Sequence, residues 1–242
     1  LRIIKYNQKL ISLDKQGLTN DQLKILSKII NKPQGLILVT GPTGSGKTQL
    51  LYSILDKLNS PDINIITIEN PVEISLTGIN QIQTQDKIGL NFAKILRAIL
   101  RQDPDIIMIG EIRDAETANI AINAAETGHL VLATLHTTGV AQAINRLINM
   151  GVANYLIADN LSLVIASRLI RLKTKNNFKG RTGIFELMPI NQKLRNLIFN
   201  KASSQNIYEC ALEDKMLTLK KSAENLLKNN LTTISEIKRV LP

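Results

Sequence analysis

From Thr19 onward the chain alternates between short, mostly apolar runs and longer runs that are apolar every third or fourth position. Leu36-Ile37-Leu38-Val39-Thr40, Ile63–Ile68, Ile106–Ile109 and Leu130–Leu135 are of the first kind, which predicts strands buried on both faces. Residues 47–58, 91–102, 115–127 and 139–149 are of the second kind, which predicts helices. Thr19-Asn20-Asp21-Gln22, ahead of Leu23, Ile25, Leu26, Ile29 and Ile30, predicts a capped amphipathic helix, and Pro33 to Gly35 closes it. Buried strands interleaved with helices predict an α/β fold on a largely parallel sheet. From about residue 150 the pattern reads as helical, interrupted by Thr182–Leu187. Thr233-Ile234-Ser235-Glu236 caps a last helix over 234–241, and a subdomain boundary falls near 170. Leu1–Tyr6 reads as a short strand with no partner nearby in sequence.

Composition narrows the picture. A chain of 242 residues is one large or two modest domains. Cys210 is its single cysteine, so no internal disulfide and no cysteine-built zinc site is expected, as in a reducing, cytosolic setting. No apolar stretch approaches the ~20 residues of a membrane helix, the run 161–170 being broken by Ser162, Ser167 and Arg168. The opening carries no secretory-signal pattern, and a start at Leu1 suits a piece of something longer. The formal charge of +10 sits in the last third: residues 168–242 hold 15 Lys/Arg against 6 Asp/Glu. Such a surface suits nucleic acid, acidic lipid or an acidic protein face. The lysines are scattered and aromatics sparse, so a solvated surface is the expectation and no nucleic-acid partner is predicted.

The strongest local chemistry is Gly41-Pro42-Thr43-Gly44-Ser45-Gly46-Lys47-Thr48, a complete phosphate loop between a strand and a helix. Glycines let backbone amides curl around phosphate oxygens, Lys47 reaches the β- and γ-phosphates, and the Thr48 hydroxyl suits Mg²⁺. A nucleoside triphosphate is the expected ligand. Hydrolysis also needs a carboxylate beside that loop. The strand Ile106–Ile109 ends in Gly110-Glu111, which makes Glu111 the candidate to polarise water.

Residues 100–114 resemble the signature of the type II secretion and type IV pilus assembly ATPases. Thr67-Ile68-Glu69-Asn70-Pro71-Val72-Glu73 resembles that family's acidic box. Thr127-Gly128-His129 through Leu135-His136-Thr137 resembles its histidine box, and Lys179-Gly180-Arg181-Thr182-Gly183-Ile184-Phe185-Glu186 its C-terminal turn and strand. The resemblance implies a RecA-like P-loop NTPase with helices on both sheet faces and a smaller, mostly helical C-terminal lobe. It divides the chain into 1–16 (the end of an upstream domain and linker), 17–170 (ATPase core) and 171–242 (lobe). ATP and Mg²⁺ are the implied cofactors. Glu69 and Glu73 would help position Mg²⁺ and water, Arg97 and Arg101 would approach the phosphates, and His136 would sense the γ-phosphate. His129 fits packing or capping better than chemistry. Arg2 matches the last arginine of an N-terminal region that contributes to a neighbouring nucleotide. The family's four-cysteine zinc site has no counterpart here, and Asn70 stands where the family commonly has Asp.

The implied assembly is a hexameric ring acting on an inner-membrane platform protein, peripheral to the membrane only through that partner. Gly78-Ile79-Asn80-Gln81-Ile82 and Ile112 look like assembly motors; Leu135-His136-Thr137-Thr138 would also suit a retraction motor. A DNA-transfer ATPase and an ATP-binding module that does not hydrolyse remain alternatives.

Overall fold

The computed structural model describes residues 10–175 and 177–241. The strand read over Leu1–Tyr6, Arg2 within it, and the start of the 1–16 segment lie outside those residues. Helix α1 (Asn20–Ile30) begins as its sequence predicts: Thr19 Oγ1 accepts from the Gln22 amide, and Gln22 Oε1 accepts from the Thr19 amide. The strands are β1 (Gly35–Thr40), β2 (Ile65–Glu69), β3 (Asn80–Gln83), β4 (Ile106–Ile109) and β5 (Leu130–Leu135). Between them run α2 (Lys47–Leu58), α3 (Phe92–Ile99) and α4 (Ala115–Glu126), and after them α5 (Val140–Asn149) and α6 (Asn154–Asn160). Every residue of β1, β2, β4 and β5 is buried, which explains why these runs are apolar throughout instead of alternating.

The chain then departs from the helical reading. Residues 161–173 form strand β6 (Leu161–Lys173), which turns back into β7 (Phe178–Pro189). The sheet order is β3-β2-β4-β5-β1-β6-β7; β7 is antiparallel to β6 and all other pairs are parallel. β6 pairs with β1 and is buried from Leu161 to Ser167, so both faces carry apolar residues and no period of two is visible. The expected division near 170 therefore falls inside a hairpin continuous with the central sheet. Helix resumes only after Pro189, as α7 (Gln192–Phe199), α8 (Ser204–Glu213), α9 (Leu219–Lys228) and α10 (Ile234–Val240). Asn191, Ser203, Thr218 and Thr233 each cap one of these helices through a side-chain oxygen.

The sheet separates two apolar layers. Leu36, Leu38, Val164 and Ala166 face α3, α4 and α5, a layer that continues into Ile198, Ile207 and Leu219 of the C-terminal helices. Ile37, Val39, Leu163 and Ile165 face α1 and α2. No helix among the described residues is long and apolar enough to cross a membrane.

One carboxylate fastens the last helix to the sheet. Glu236 is buried; it accepts from Arg171 N at 2.9 Å, Arg171 Nη2 at 2.6 Å and Arg239 Nη2 at 2.7 Å. The Arg239 guanidinium, then Arg171, holds its carboxyl far below the usual range. A depressed folded value stabilises the fold above the unfolded pKa of about 4.3, and that stability is lost as pH falls below it. Glu236→Ala is expected to cost about 3 kcal/mol at pH 7, the low end for a broken buried pair because both arginines are partly solvated. Urea unfolding at pH 7 and pH 3 checks this: the gap between parent and variant shrinks at the lower pH.

Candidate nucleotide-binding and catalytic site

Three connections leave the carboxyl edge of the sheet side by side. Thr40 pairs with Leu135, and Ile109 with Ala133, so Gly41, Glu111 and His136 follow neighbouring strand ends. The loop Gly41–Gly46 turns tightly onto α2. At Gly41 (φ 150°) a Cβ would meet Ser45 Oγ at 2.5 Å and the Ser167 carbonyl at 2.7 Å. At Gly46 (φ 91°) it would press on Leu169 of β6, so the loop lies directly against that strand. Ser45 Oγ and Ser167 Oγ stand 3.2 Å apart across the contact.

Lys47 is 9% exposed and donates to the loop's own carbonyls, Gly41 O at 2.8 Å and Pro42 O at 3.0 Å. Burial pushes its pKa down, the charge of Glu111 pushes it back up, and Arg168 lowers it further. Thr48 follows at the second residue of α2, half-buried.

Glu111 is held by the backbone on both sides. The Gly110 amide donates to Ile68 O, Thr134 Oγ1 donates to Gly110 O, and the Ile112 amide donates to Thr134 O. Its carboxylate pairs with Arg113, and its second oxygen stands 3.6 Å from His136 Nε2. Burial and the charge of Lys47 lower the His136 pKa, so at neutral pH the ring is uncharged and 3.6 Å is not a hydrogen bond. The segment after His136 is pinned at both ends. Thr137 and Thr40 Oγ1 exchange hydrogen bonds, and Arg168 Nη2 donates to Thr138 O at 2.8 Å. Sequence reasoning used Arg168 only as a charge interrupting an apolar run; a cation in an otherwise buried strand was the signal it missed.

The acidic box takes two different environments. Glu69 is 2% exposed, and its carboxylate accepts from Tyr52 Oη, from Thr67 Oγ1 at 2.6 Å and from Gln81 Nε2 at 3.1 Å. Burial raises its pKa against those three donors. Three protein donors thus occupy the carboxylate, an arrangement that suits an indirect part for Glu69 better than direct contact with Mg²⁺ or water. Glu73 is half-buried, and its amide donates to Tyr52 Oη at 3.1 Å. Tyr52 stands four residues after Thr48, on the same face of α2.

Arg97 and Arg101 do not join the site. Helix α3 ends at Ile99, so Arg101 lies beyond it rather than on a shared helix face, and Arg97 pairs with Glu116. Arg101 precedes β4 at the amino edge of the sheet, where the Asp105 amide donates to Asn64 O. The phosphate loop lies at the opposite edge, about 13 Å away along four strand residues. Arg101 is thus set away from the phosphate loop of its own chain, while Arg97 is engaged by Glu116 in the first turn of α4. His129 caps the end of α4, its Nδ1 2.9 Å from Ala124 O.

Among the described residues no cluster of three His, Cys, Asp or Glu side chains could hold a metal ion. The Thr48 hydroxyl on α2 and the carboxylate of Glu73, whose amide is held by Tyr52 of the same helix, are of the types that suit a Mg²⁺ ion completed by phosphate oxygens and water.

A family model described as type II/IV secretion system protein matches residues 1–239. The protein transport protein HofB homolog of Escherichia coli (strain K12) is 42% identical, over 100% of this chain and 59% of its own. The type IV pilus assembly ATPase PilB of Pseudomonas aeruginosa is 39% identical, over 99% and 49%. Among solved structures, the pilus retraction motor PilT with bound ADP superimposes with a TM-score of 0.83 at 33% identity, over 97% of this chain and 68% of that one. The Legionella pneumophila ATPase DotB does so with a TM-score of 0.79 at 27% identity, over 95% and 64%. The chain thus spans about half to three-fifths of the length of these curated relatives.

Proposed function

Because the chain belongs to the type II/IV secretion system protein family, we propose that it binds and hydrolyses MgATP as the motor of a type IV pilus assembly or type II secretion machine. The observation that carries this is the meeting of Lys47 and Glu111 at one sheet edge, with Glu111 fixed by hydrogen bonds on both flanking residues. Loop residues 41–48 hold the triphosphate, and Lys47 turns from the carbonyls of Gly41 and Pro42 to the β- and γ-phosphates. Glu111 orients the attacking water and accepts its proton. His136, 3.6 Å from Glu111, would contact the γ-phosphate. Thr48 and Glu73 would hold the Mg²⁺ ion, which would neutralise phosphate charge.

The further reading is a hexameric ring on the cytoplasmic face of an inner membrane, working on a platform protein. Assembly is the reading favoured by the 39% identity to the assembly ATPase PilB over 99% of the chain, together with the segment Gly78-Ile79-Asn80-Gln81-Ile82 and Ile112. The test is phosphate release from ATP by the purified chain. Turnover that stops when EDTA removes Mg²⁺ is expected. Bound ATP without phosphate release would make the chain a ring module that does not hydrolyse.

A further inference from the structure

The acidic box has no secondary structure of its own between β2 and β3, yet four backbone groups between Val72 and Leu76 are tied to side chains. The Val72 amide donates to Gln83 Oε1 at 3.2 Å, and the Glu73 amide to Tyr52 Oη at 3.1 Å. Ile74 O accepts from Gln81 Nε2 at 3.0 Å, and the Leu76 amide donates to Gln81 Oε1 at 2.7 Å. Tyr52 and Gln81 come from different elements, α2 and β3, and both donate to the carboxylate of Glu69. Tyr52 and Glu69 are 0% and 2% exposed, so their contact is shielded from water, while Gln81 and Glu73 are half-buried.

We propose that Tyr52 is a positioning residue for the reaction: its hydroxyl, locked by Glu69, sets the acidic box and with it Glu73 relative to Thr48. The phosphate-loop helix and the acidic-box carboxylate are two halves of one site, and Tyr52 is the side chain that spans them. Its hydroxyl gives its one proton to Glu69 and accepts from the Glu73 amide. Glu69 then acts through Tyr52 and Gln81, not on metal or water. Loss of the hydroxyl leaves the Tyr52 ring packed but frees the Glu73 backbone, and a displacement of about 1 Å at a reacting site is enough to cost up to 100-fold in rate.

This rests on the MgATP reading above, and the experiment separates the two. Tyr52→Phe, Glu69→Gln and the double variant are compared with the parent for kcat, the Mg²⁺ concentration giving half-maximal rate, and affinity for ATP with and without Mg²⁺. Tyr52→Phe is expected to lower kcat about tenfold and raise the Mg²⁺ requirement, with metal-free ATP affinity within about twofold. In the double variant, Glu69→Gln adds less than about threefold to the loss in kcat, because the two side chains act as one unit. An unchanged kcat in Tyr52→Phe overturns the proposal, as does a further tenfold loss on adding Glu69→Gln, the mark of a carboxylate working directly. If the parent shows no Mg²⁺-dependent turnover, the hydrolytic reading fails and affinity decides. Weaker binding of MgATP but not of metal-free ATP in Tyr52→Phe supports the brace; equal binding overturns it.

Discussion

Glu111→Gln is expected to leave ATP bound and to lower hydrolysis by about 1,000-fold, within the range for removing a general base. The change keeps the side chain's shape and one acceptor oxygen, and the backbone anchors at Gly110 and Ile112 do not depend on the carboxylate. What is lost is the negative charge that accepts a proton from water. That charge also stands beside the triphosphate site and is felt by Lys47, so its removal relieves repulsion and ATP affinity rises or holds. Arg113 pairs with the same carboxylate but is 56% exposed, so water screens the pair and Arg113 can swing away without a large penalty. Phosphate release and equilibrium ATP binding, measured on one preparation, check the prediction. A rate within threefold of the parent would show that another group activates the water.

The parts of this site legible in the sequence are those whose geometry is local. The phosphate loop is carried by eight consecutive residues and glycines with positive φ, and Glu111 by its place two residues past a buried strand. What was not legible depends on partners distant in sequence or on which edge of the sheet a residue reaches. The spacing of Arg97 and Arg101 suggested one helix face, but α3 stops at Ile99 and its chain direction carries Arg101 to the edge away from the loop. Glu69 turns inward because Tyr52, 17 residues earlier, and Gln81, 12 later, supply donors inside the protein. The same reason hid β6: a strand buried by β1, β7 and helices on both faces has no polar side to mark its period. Arg168 gains its contact with Thr138 only once β6 lies beside β1, a pairing between residues more than 100 apart.

Lys47→Ala is the complementary expectation, because it removes ATP binding together with turnover. Lys47 enters α2 at its first residue and stands over the loop, donating to Gly41 O and Pro42 O. Those two carbonyls hold the ammonium in the position from which it swings to a phosphate, so the group is preorganised and little ordering is needed on binding. Loss of a charge-assisted contact to two phosphates is expected to weaken ATP at least 100-fold, about 2.7 kcal/mol, and to bring phosphate release to background. Stability moves the other way or not at all. Burial already works against the charged ammonium, and this offsets the loss of its bonds to buried Gly41 O and to the carbonyl of exposed Pro42. A thermal midpoint at or above that of the parent, with ATP binding gone, therefore distinguishes loss of the site from loss of the fold. Retained hydrolysis in Lys47→Ala would mean that turnover in the preparation does not come from the loop at residues 41–48.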